Sequence, residues 1–229
     1  MTVVITGASR GIGRAIADRL YSLGHNILGI SLSSPLDLKY EKPEYQIEQA
    51  DVTNINDLHK VSEFLKGKTV SGLINCAGAY ESLPFSFFPY LNYKKIIDIN
   101  LMGTINACSV FIKFMDKDIH TPIINISSIV AHVVNSSTIY TTSKHAVEGF
   151  TSSLAKELNK TKIRPNAICP GMIETDMTRA SFNNQNLIQS YVESQPVGIP
   201  LSLDHVANVV ELLFDPKSNC IGGQAIQIG

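Results

Sequence analysis

A short apolar segment, Val3-Val4-Ile5, runs directly into the glycine-rich stretch Thr6-Gly7-Ala8-Ser9-Arg10-Gly11-Ile12-Gly13, and a helical pattern follows at once. No other feature restricts the fold as much. Ile12, Ile16, Leu20 and Leu23 recur at three and four residues, so they line one helix face, and Gly24 stands where a left-handed cap ends such a helix. A strand, a tight turn and a helix in that order open a βαβ unit, whose return strand runs parallel to the first. Further β-branched runs at Asn26 to Ser31, Tyr45 to Ala50, Leu73 to Asn75, Ile123 to Ser127, Arg164 to Cys169 and Ala225 to Ile228 alternate with helical patterns. That alternation predicts an α/β chain with a doubly wound, seven-stranded parallel sheet covered by helices on both faces.

A chain of 229 residues is enough for one such unit, 1–229, and requires no second domain. With 19 Lys+Arg against 20 Asp+Glu and no run of like charge, neither a nucleic-acid footprint nor a basic membrane patch is expected, and a freely diffusing small substrate is. Cys76, Cys108, Cys169 and Cys220 are far apart without paired spacing, which argues against a disulfide framework and a zinc site, so no metal is expected. The first strand begins too close to Met1 for a signal peptide, and no apolar run approaches the length of a membrane span, so a cytoplasmic location is expected.

The turn between first strand and first helix has the chemistry of a diphosphate cradle. Gly7 can take the backbone angles of a sharp turn, Gly11 lets backbone approach an anion, and Gly13 lets helix pack closely on strand. The spacing is T-G-x-x-x-G-x-G, and the backbone of Thr6, Gly7, Ser9, Arg10, Gly11, Ile12 and Gly13 is expected to face a dinucleotide at the helix N-terminus. The second strand ends Gly29-Ile30-Ser31-Leu32-Ser33 with no carboxylate to accept ribose hydroxyls. Arg10 can meet a 2′-phosphate and Ser31 and Ser33 can donate to it, so NADP(H) is preferred and NAD(H) remains possible. Simple surface coverage is the alternative for Arg10.

Tyr140 and Lys144 share one helix face, but Tyr90 and Lys94 repeat the spacing. Context separates the two pairs. The apolar strand before Tyr140 delivers Ser127 and Ser128 to the sheet's carboxyl edge, where open α/β sheets bind ligands; Tyr90 follows the Pro84 to Pro89 loop and reads as a solvated helix start.

Together with Asp51-Val52, Asn75-Cys76-Ala77-Gly78, Asn100 in Asp98-Ile99-Asn100-Leu101, and Pro170-Gly171 with Thr175, these motifs resemble the short-chain dehydrogenase/reductase family over nearly the whole chain. Within it, Thr6 to Ala17 and Cys169 to Met177 are most similar to 3-oxoacyl-[acyl-carrier-protein] reductases. The resemblance implies a Rossmann-type fold and an NADPH-dependent reductase that transfers hydride to a ketone, 3-oxoacyl thioester-like or related, giving a secondary alcohol. It implies that Ser128 bonds the substrate oxygen, that Tyr140 supplies the proton, that Lys144 favours the phenolate and binds the nicotinamide ribose, and that Asn100 holds a water joining Lys144 to solvent. Asp51 and Val52 are implied at the adenine, Asn75, Ala77 and Gly78 on the ribose side, and Pro170, Gly171, Ile173 and Thr175 at the carboxamide and phosphates. Local roles are open to these too: Asp51 as a helix cap, Asn75 as a strand-end partner, Pro170-Gly171 as a turn.

Some residues depart from the family pattern. Ser128 precedes Tyr140 by twelve residues, one fewer than in many relatives, which leaves Ser127 as a substitute. Asp116-Lys117-Asp118 and Ile199 stand where relatives often carry arginines, weakening electrostatic docking of an acidic carrier. Pro165 falls inside an interior strand pattern and is expected at that strand's first residue. Residues 176–200, with Met177, Phe182, Leu187, Ile188, Tyr191 and Val192, read as an apolar substrate lid, opposite Phe85, Phe87 and Phe88. A homodimer or homotetramer associating through the Tyr140 helix is expected. The alternatives are an alcohol or hydroxysteroid-like dehydrogenase working in the oxidative direction and a non-catalytic dinucleotide sensor.

Overall fold

The computed structural model describes residues 1–33, 42–81, 83–133, 137–179 and 185–229. Its strands are β1 (Thr2–Thr6), β2 (Asn26–Ser31), β3 (Tyr45–Gln49), β4 (Val70–Asn75), β5 (Thr121–Ile126), β6 (Ile163–Pro170) and β7 (Ala225–Ile228). The helices are α1 (Gly11–Ser22), α2 (Ile55–Ser62), α3 (Tyr90–Ile97), α4 (Gly103–Phe111), α5 (Thr138–Glu157), α6 (Gln185–Ser194) and α7 (Leu203–Phe214). All seven strands run parallel in the order β3-β2-β1-β4-β5-β6-β7. The chain therefore winds outward from β1 to β3, then restarts at β4 on β1's other side. Connections leave the carboxyl ends of β1 and β4 in opposite directions, opening the crevice where ligands bind in such sheets.

β1 shows why the strands read as unbroken apolar runs. Val4 packs with Leu28, Ile30, Phe111 and Ile123 beneath α2 and α4, while Val3 and Ile5 pack with Ile16, Leu20, Val206 and Val210 beneath α1 and α7. Successive side chains face opposite layers and both are covered, so polar alternation has no place in the sheet centre. Gly72 on β4 is required by that packing, since a Cβ there would stand 2.4 Å from the Phe214 ring.

Two expectations are corrected. Pro165 is the third residue of β6, not its first, and it sits opposite Ile123. A strand residue points its N–H and C=O to the same side. The Pro165 carbonyl accepts from Gly223 N at 2.7 Å, so the missing donor faces the side where β7, which first pairs Ala225 with Ala167, has not begun. The second correction concerns apolar length. The continuous helical stretch Tyr90–Phe114 is long and apolar enough, by composition, to cross a membrane, and 44% of its apolar window is buried within the fold. Lys94, Lys95, Asp98 and Asn100 break the apolar run in sequence without breaking the helix.

Candidate active site

The glycine-rich turn has the backbone expected of it. Gly7 has φ 71°, and a Cβ there would lie 2.8 Å from Ala77 N; a Cβ on Gly13 would lie 2.2 Å from Gly7 O. Thr6 Oγ1 accepts from Cys76 N at 3.1 Å and from Ala77 N at 3.2 Å, tying the ends of β1 and β4 together. At the start of α1, Arg10 gives no side-chain cap and no acidic residue lies in the first turn. The opening amides are thus left for an anion, and glycine keeps the approach free of side chains, so these residues fit a dinucleotide diphosphate. Thr175 closes over the turn, with its Cγ2 3.7 Å from where a Gly11 Cβ would be.

The end of β2 carries hydroxyls. Ser31 Oγ donates to Ser9 Oγ at 2.7 Å, and Ser33 is exposed. The Arg10 guanidinium, 74% exposed, stands 4.0 Å from Asp176.

Across the crevice, β5 hands the chain to Ser127 and Ser128 with opposite orientations. Ser127 turns inward, donating from Oγ to Glu148 Oε1 at 2.7 Å and to the Lys144 carbonyl at 3.3 Å. Ser128 caps the short turn Ile129–Ala131 and shares a side-chain hydrogen bond with Tyr140. The pairing with Tyr140 therefore belongs to Ser128. One helical turn along α5, Lys144 is buried, donates to the Ile126 carbonyl at 2.7 Å and stands 5.5 Å from the Tyr140 ring centroid. Behind it, α3 and α4 are joined by a π-helical turn, Asp98–Met102, which carries Asn100 inward. Asn100 Oδ1 accepts from Ala79 N at 2.7 Å, and Nδ2 donates to Ala79 O at 3.0 Å and Ser143 Oγ at 2.9 Å. Its side chain is fully engaged, and its carbonyl accepts from Thr104 Oγ1 at 2.8 Å.

Electrostatics correct one expectation. Burial pushes the Tyr140 phenol up to about 12, against a smaller opposing effect of the Ser128 hydrogen bond, and burial pulls the Lys144 ammonium down to about 8. The phenol is thus shifted up, where a drop was expected. Desolvation of the phenolate is the largest influence on the phenol, and the Lys144 ammonium donates to the Ile126 carbonyl.

The remaining candidates divide into exposed and structural. Asp51 Oδ1 accepts from Thr53 N and Oγ1, both at 2.8 Å, while the α2 cap is Asn54. Val52 packs where a Gly103 Cβ would be, with its Cγ2 2.6 Å away. The Asn75 side chain points into the sheet, its Nδ2 donating to Asn125 Oδ1 at 2.8 Å and Cys108 Sγ at 3.3 Å, while its Oδ1 is buried without a partner among the described residues. A Gly78 Cβ would lie 3.9 Å from Lys144 Nζ, so glycine keeps that side of the lysine open. Pro170 ends β6, Gly171 N donates to Ile228 O at 2.8 Å, and the Ile173 side chain is buried. Tyr90 is exposed and Lys94 pairs with Asp98, so the second Tyr-Lys pair is a surface helix start.

Within residues 176–200, where a lid was expected, Tyr191 OH on α6 accepts from Met172 N at 2.8 Å; Phe182 lies outside the described residues. Phe85 and Phe87 are exposed. Two contributors went unread in the sequence. Ser143 supports Asn100, and Tyr80, directly after the Asn75-Cys76-Ala77-Gly78-Ala79 stretch, packs on Tyr140.

Residues 1–186 match the family model described as short chain dehydrogenase. The chain belongs to that family. Among short-chain dehydrogenases, the 3-oxoacyl-[acyl-carrier-protein] reductase of Aquifex aeolicus is 32% identical over 98% of this chain and 94% of its own. A short chain dehydrogenase of Penicillium roqueforti is 31% identical over 100% and 95%. The ligand-free aldohexose dehydrogenase of Thermoplasma acidophilum superposes with a TM-score of 0.86 at 30% identity, covering 99% of this chain and 91% of that one. A 4-hydroxyisoleucine dehydrogenase complexed with NADH superposes at 0.89 and 28%, covering 99% and 96%. This short-chain dehydrogenase is an NAD(P)-dependent oxidoreductase.

Proposed function

We propose that the protein reduces a ketone to a secondary alcohol with NADPH, acting on a 3-oxoacyl thioester or a related small carbonyl. The observation that carries this reading is that Ser128, Tyr140 and a buried Lys144, whose Nζ lies 5.5 Å from the Tyr140 ring centroid, meet at the carboxyl edge of the sheet. A bound nicotinamide supplies the hydride. Ser128 Oγ donates to the substrate oxygen as charge builds there, which stabilises the transition state more than the ground state. Tyr140 gives that oxygen its proton, and the raised pKa keeps the phenol protonated and ready in the reductive direction. Lys144 offers its ammonium to the ribose and to the phenolate left behind, and Asn100 holds the wall around it through Ala79 and Ser143.

The cofactor preference is supported by the β2 end, where Ser31 and Ser33 stand in place of a carboxylate, and by Arg10, exposed and next in sequence to the Ser9 that Ser31 bonds. The relatives named as 3-oxoacyl reductases support the substrate class. Asp116 and Asp118, with Ile199 in place of an arginine, favour a small free substrate over a docked acidic carrier. A cytoplasmic homodimer or homotetramer completes the proposal; the exposed α5 face, with Thr142, His145 and Gly149, suits helix-to-helix contact. The dehydrogenases among the solved neighbours favour oxidation of an alcohol as the second reading.

The test is steady-state dinucleotide turnover by the purified chain. NADPH and NADH are each offered with β-keto thioesters and free ketones, and NADP⁺ and NAD⁺ with secondary alcohols. NADPH oxidation with a β-keto thioester or ketone, lost by a factor of about 10² to 10⁴ in Tyr140→Phe while NADPH still binds, is the expected result. Undiminished turnover in Tyr140→Phe, or tight NADPH binding with no turnover on any substrate, overturns it.

A further inference from the structure

Glu148, one turn beyond Lys144 on α5, draws three donors from three separate segments. Its Oε1 accepts from Ser127 Oγ at 2.7 Å and from Cys169 Sγ at 3.2 Å, and its Oε2 lies 3.1 Å from His132 Nε2. The ligand-type atoms of His132, Glu148 and Cys169 all lie within 4.8 Å of one another. The Glu148 side chain is only 15% exposed, and among the described residues its one salt-bridge partner is the His132 imidazole, charged only when protonated. The nearby Lys144 ammonium is bonded to the Ile126 carbonyl instead. A largely desolvated carboxylate without a permanent cation is costly, and a divalent ion would remove that cost.

We infer that His132, Glu148 and Cys169 form a binding site for one zinc-like divalent cation. Imidazole, carboxylate and thiolate make a borderline-soft set that suits Zn²⁺. For tetrahedral zinc, bond lengths of about 2.0 to 2.2 Å to N and O and about 2.3 Å to S set the N···O and S···O edges at about 3.4 and 3.5 Å. The separations present are 3.1 Å from His132 Nε2 to Oε2 and 3.2 Å from Cys169 Sγ to Oε1, with all three ligand-type atoms within 4.8 Å of one another, so the carboxylate turns to present one oxygen as the imidazole and the sulfur close around the ion. Cys169 is fully buried, while His132 is 28% exposed on its side chain, so the ion comes in from the His132 side, where water supplies the fourth ligand. Binding breaks the Cys169 S–H bond. The proton leaves to solvent and the sulfur lone pair goes to the metal, so affinity rises with pH. Cysteine spacing could not show such a site, because it uses one cysteine and takes its other ligands from a loop and a helix.

The site is independent of the catalytic reading and is tested by binding alone. The full chain, stripped with a chelator, is titrated with Zn²⁺ by calorimetry in two buffers of different ionisation enthalpy, and with Co²⁺ by absorption. One ion per chain is expected, with proton release and a thiolate-to-cobalt charge-transfer band. His132→Gln, at a partly exposed position where folding is safe, and the near-isosteric Cys169→Ser should each weaken binding by at least about tenfold. Cys220→Ser, at the exposed cysteine, should leave it unchanged. Absence of binding to the wild-type chain, or affinity and cobalt spectrum unaltered in both His132→Gln and Cys169→Ser, overturns the proposal.

Discussion

The Tyr80 ring meets the Tyr140 ring edge to face, with centroids 5.0 Å apart and planes at 89°. The Tyr80 hydroxyl also lies 3.2 Å from Ser137 Oγ, so one side chain from beyond β4 braces both the proton donor and the residue that opens its helix. Such ring pairs are worth about 0.5 to 1.5 kcal/mol beyond the area they bury. Tyr80→Phe should keep kcat/KM within about twofold, whereas Tyr80→Ala, which frees the Tyr140 ring, should lower it about tenfold. Equal losses in the two variants would show that the hydroxyl, not the ring, does the bracing.

Ser127 and Ser128 should fail in different assays. Ser128→Ala removes the partner of Tyr140 and should reduce turnover by about 10² to 10³ with the melting temperature nearly unchanged. Ser127→Ala removes the one hydroxyl proton that Glu148 accepts at 2.7 Å, with the Lys144 carbonyl at 3.3 Å as its weaker partner, and should cost about 1 to 3 kcal/mol in urea unfolding. The reverse pattern would mean that Ser127 is the residue facing substrate.

Glycines give a similar contrast. At Gly13 a Cβ would lie 2.2 Å from the Gly7 carbonyl oxygen, where only backbone can move. Gly13→Ala should destabilise the chain by about 1 to 3 kcal/mol and abolish dinucleotide binding, because α1 shifts off the loop. Gly149, exposed on α5 with nothing within 4 Å of an added Cβ, should instead gain about 0.5 to 1 kcal/mol as alanine. Denaturant midpoints and NADPH fluorescence titration check both.

What the sequence made legible follows from how local each cause is. The strands were readable because β-branched runs buried on both faces have few alternatives, and Gly24 ends α1 at φ 89° as its position suggests. The Ser127/Ser128 ambiguity was not resolvable by counting, since the pairing depends on which residue leaves the sheet first. Asn100 was readable as a motif, but the π-helical turn that aims it is held by Ala79 and by Ser143 on α5, both far away in sequence. Pro165 looked misplaced because nothing in the sequence says that β7 starts two residues too late to need its N–H. The phenol's raised pKa, Tyr80 and the His132–Glu148–Cys169 group all depend on burial or on segments far apart in sequence.

Lys144 carries a pH dependence of its own. Burial lowers its pKa from 10.5 to about 8, a penalty on the order of 3 kcal/mol for the charged form. Between those values the unfolded chain holds more protons at this position than the folded one, so this group's penalty is full below about pH 8 and fades as pH rises toward 10.5. Cys76 and Cys108, raised from 9.0 to about 12, act in the opposite direction at the upper end, so the informative quantity is a difference between two proteins. Lys144→Met removes the ammonium and leaves the Ile126 carbonyl without its donor, at about 1 kcal/mol. The variant should be inactive yet more stable than the wild type by about 2 kcal/mol at pH 7, with the margin shrinking steadily at pH 8, 9 and 10. Urea unfolding of both proteins at those four values measures it. A margin that stays constant would mean that Lys144 titrates in the folded protein as it does in water, and that its burial does not govern its charge.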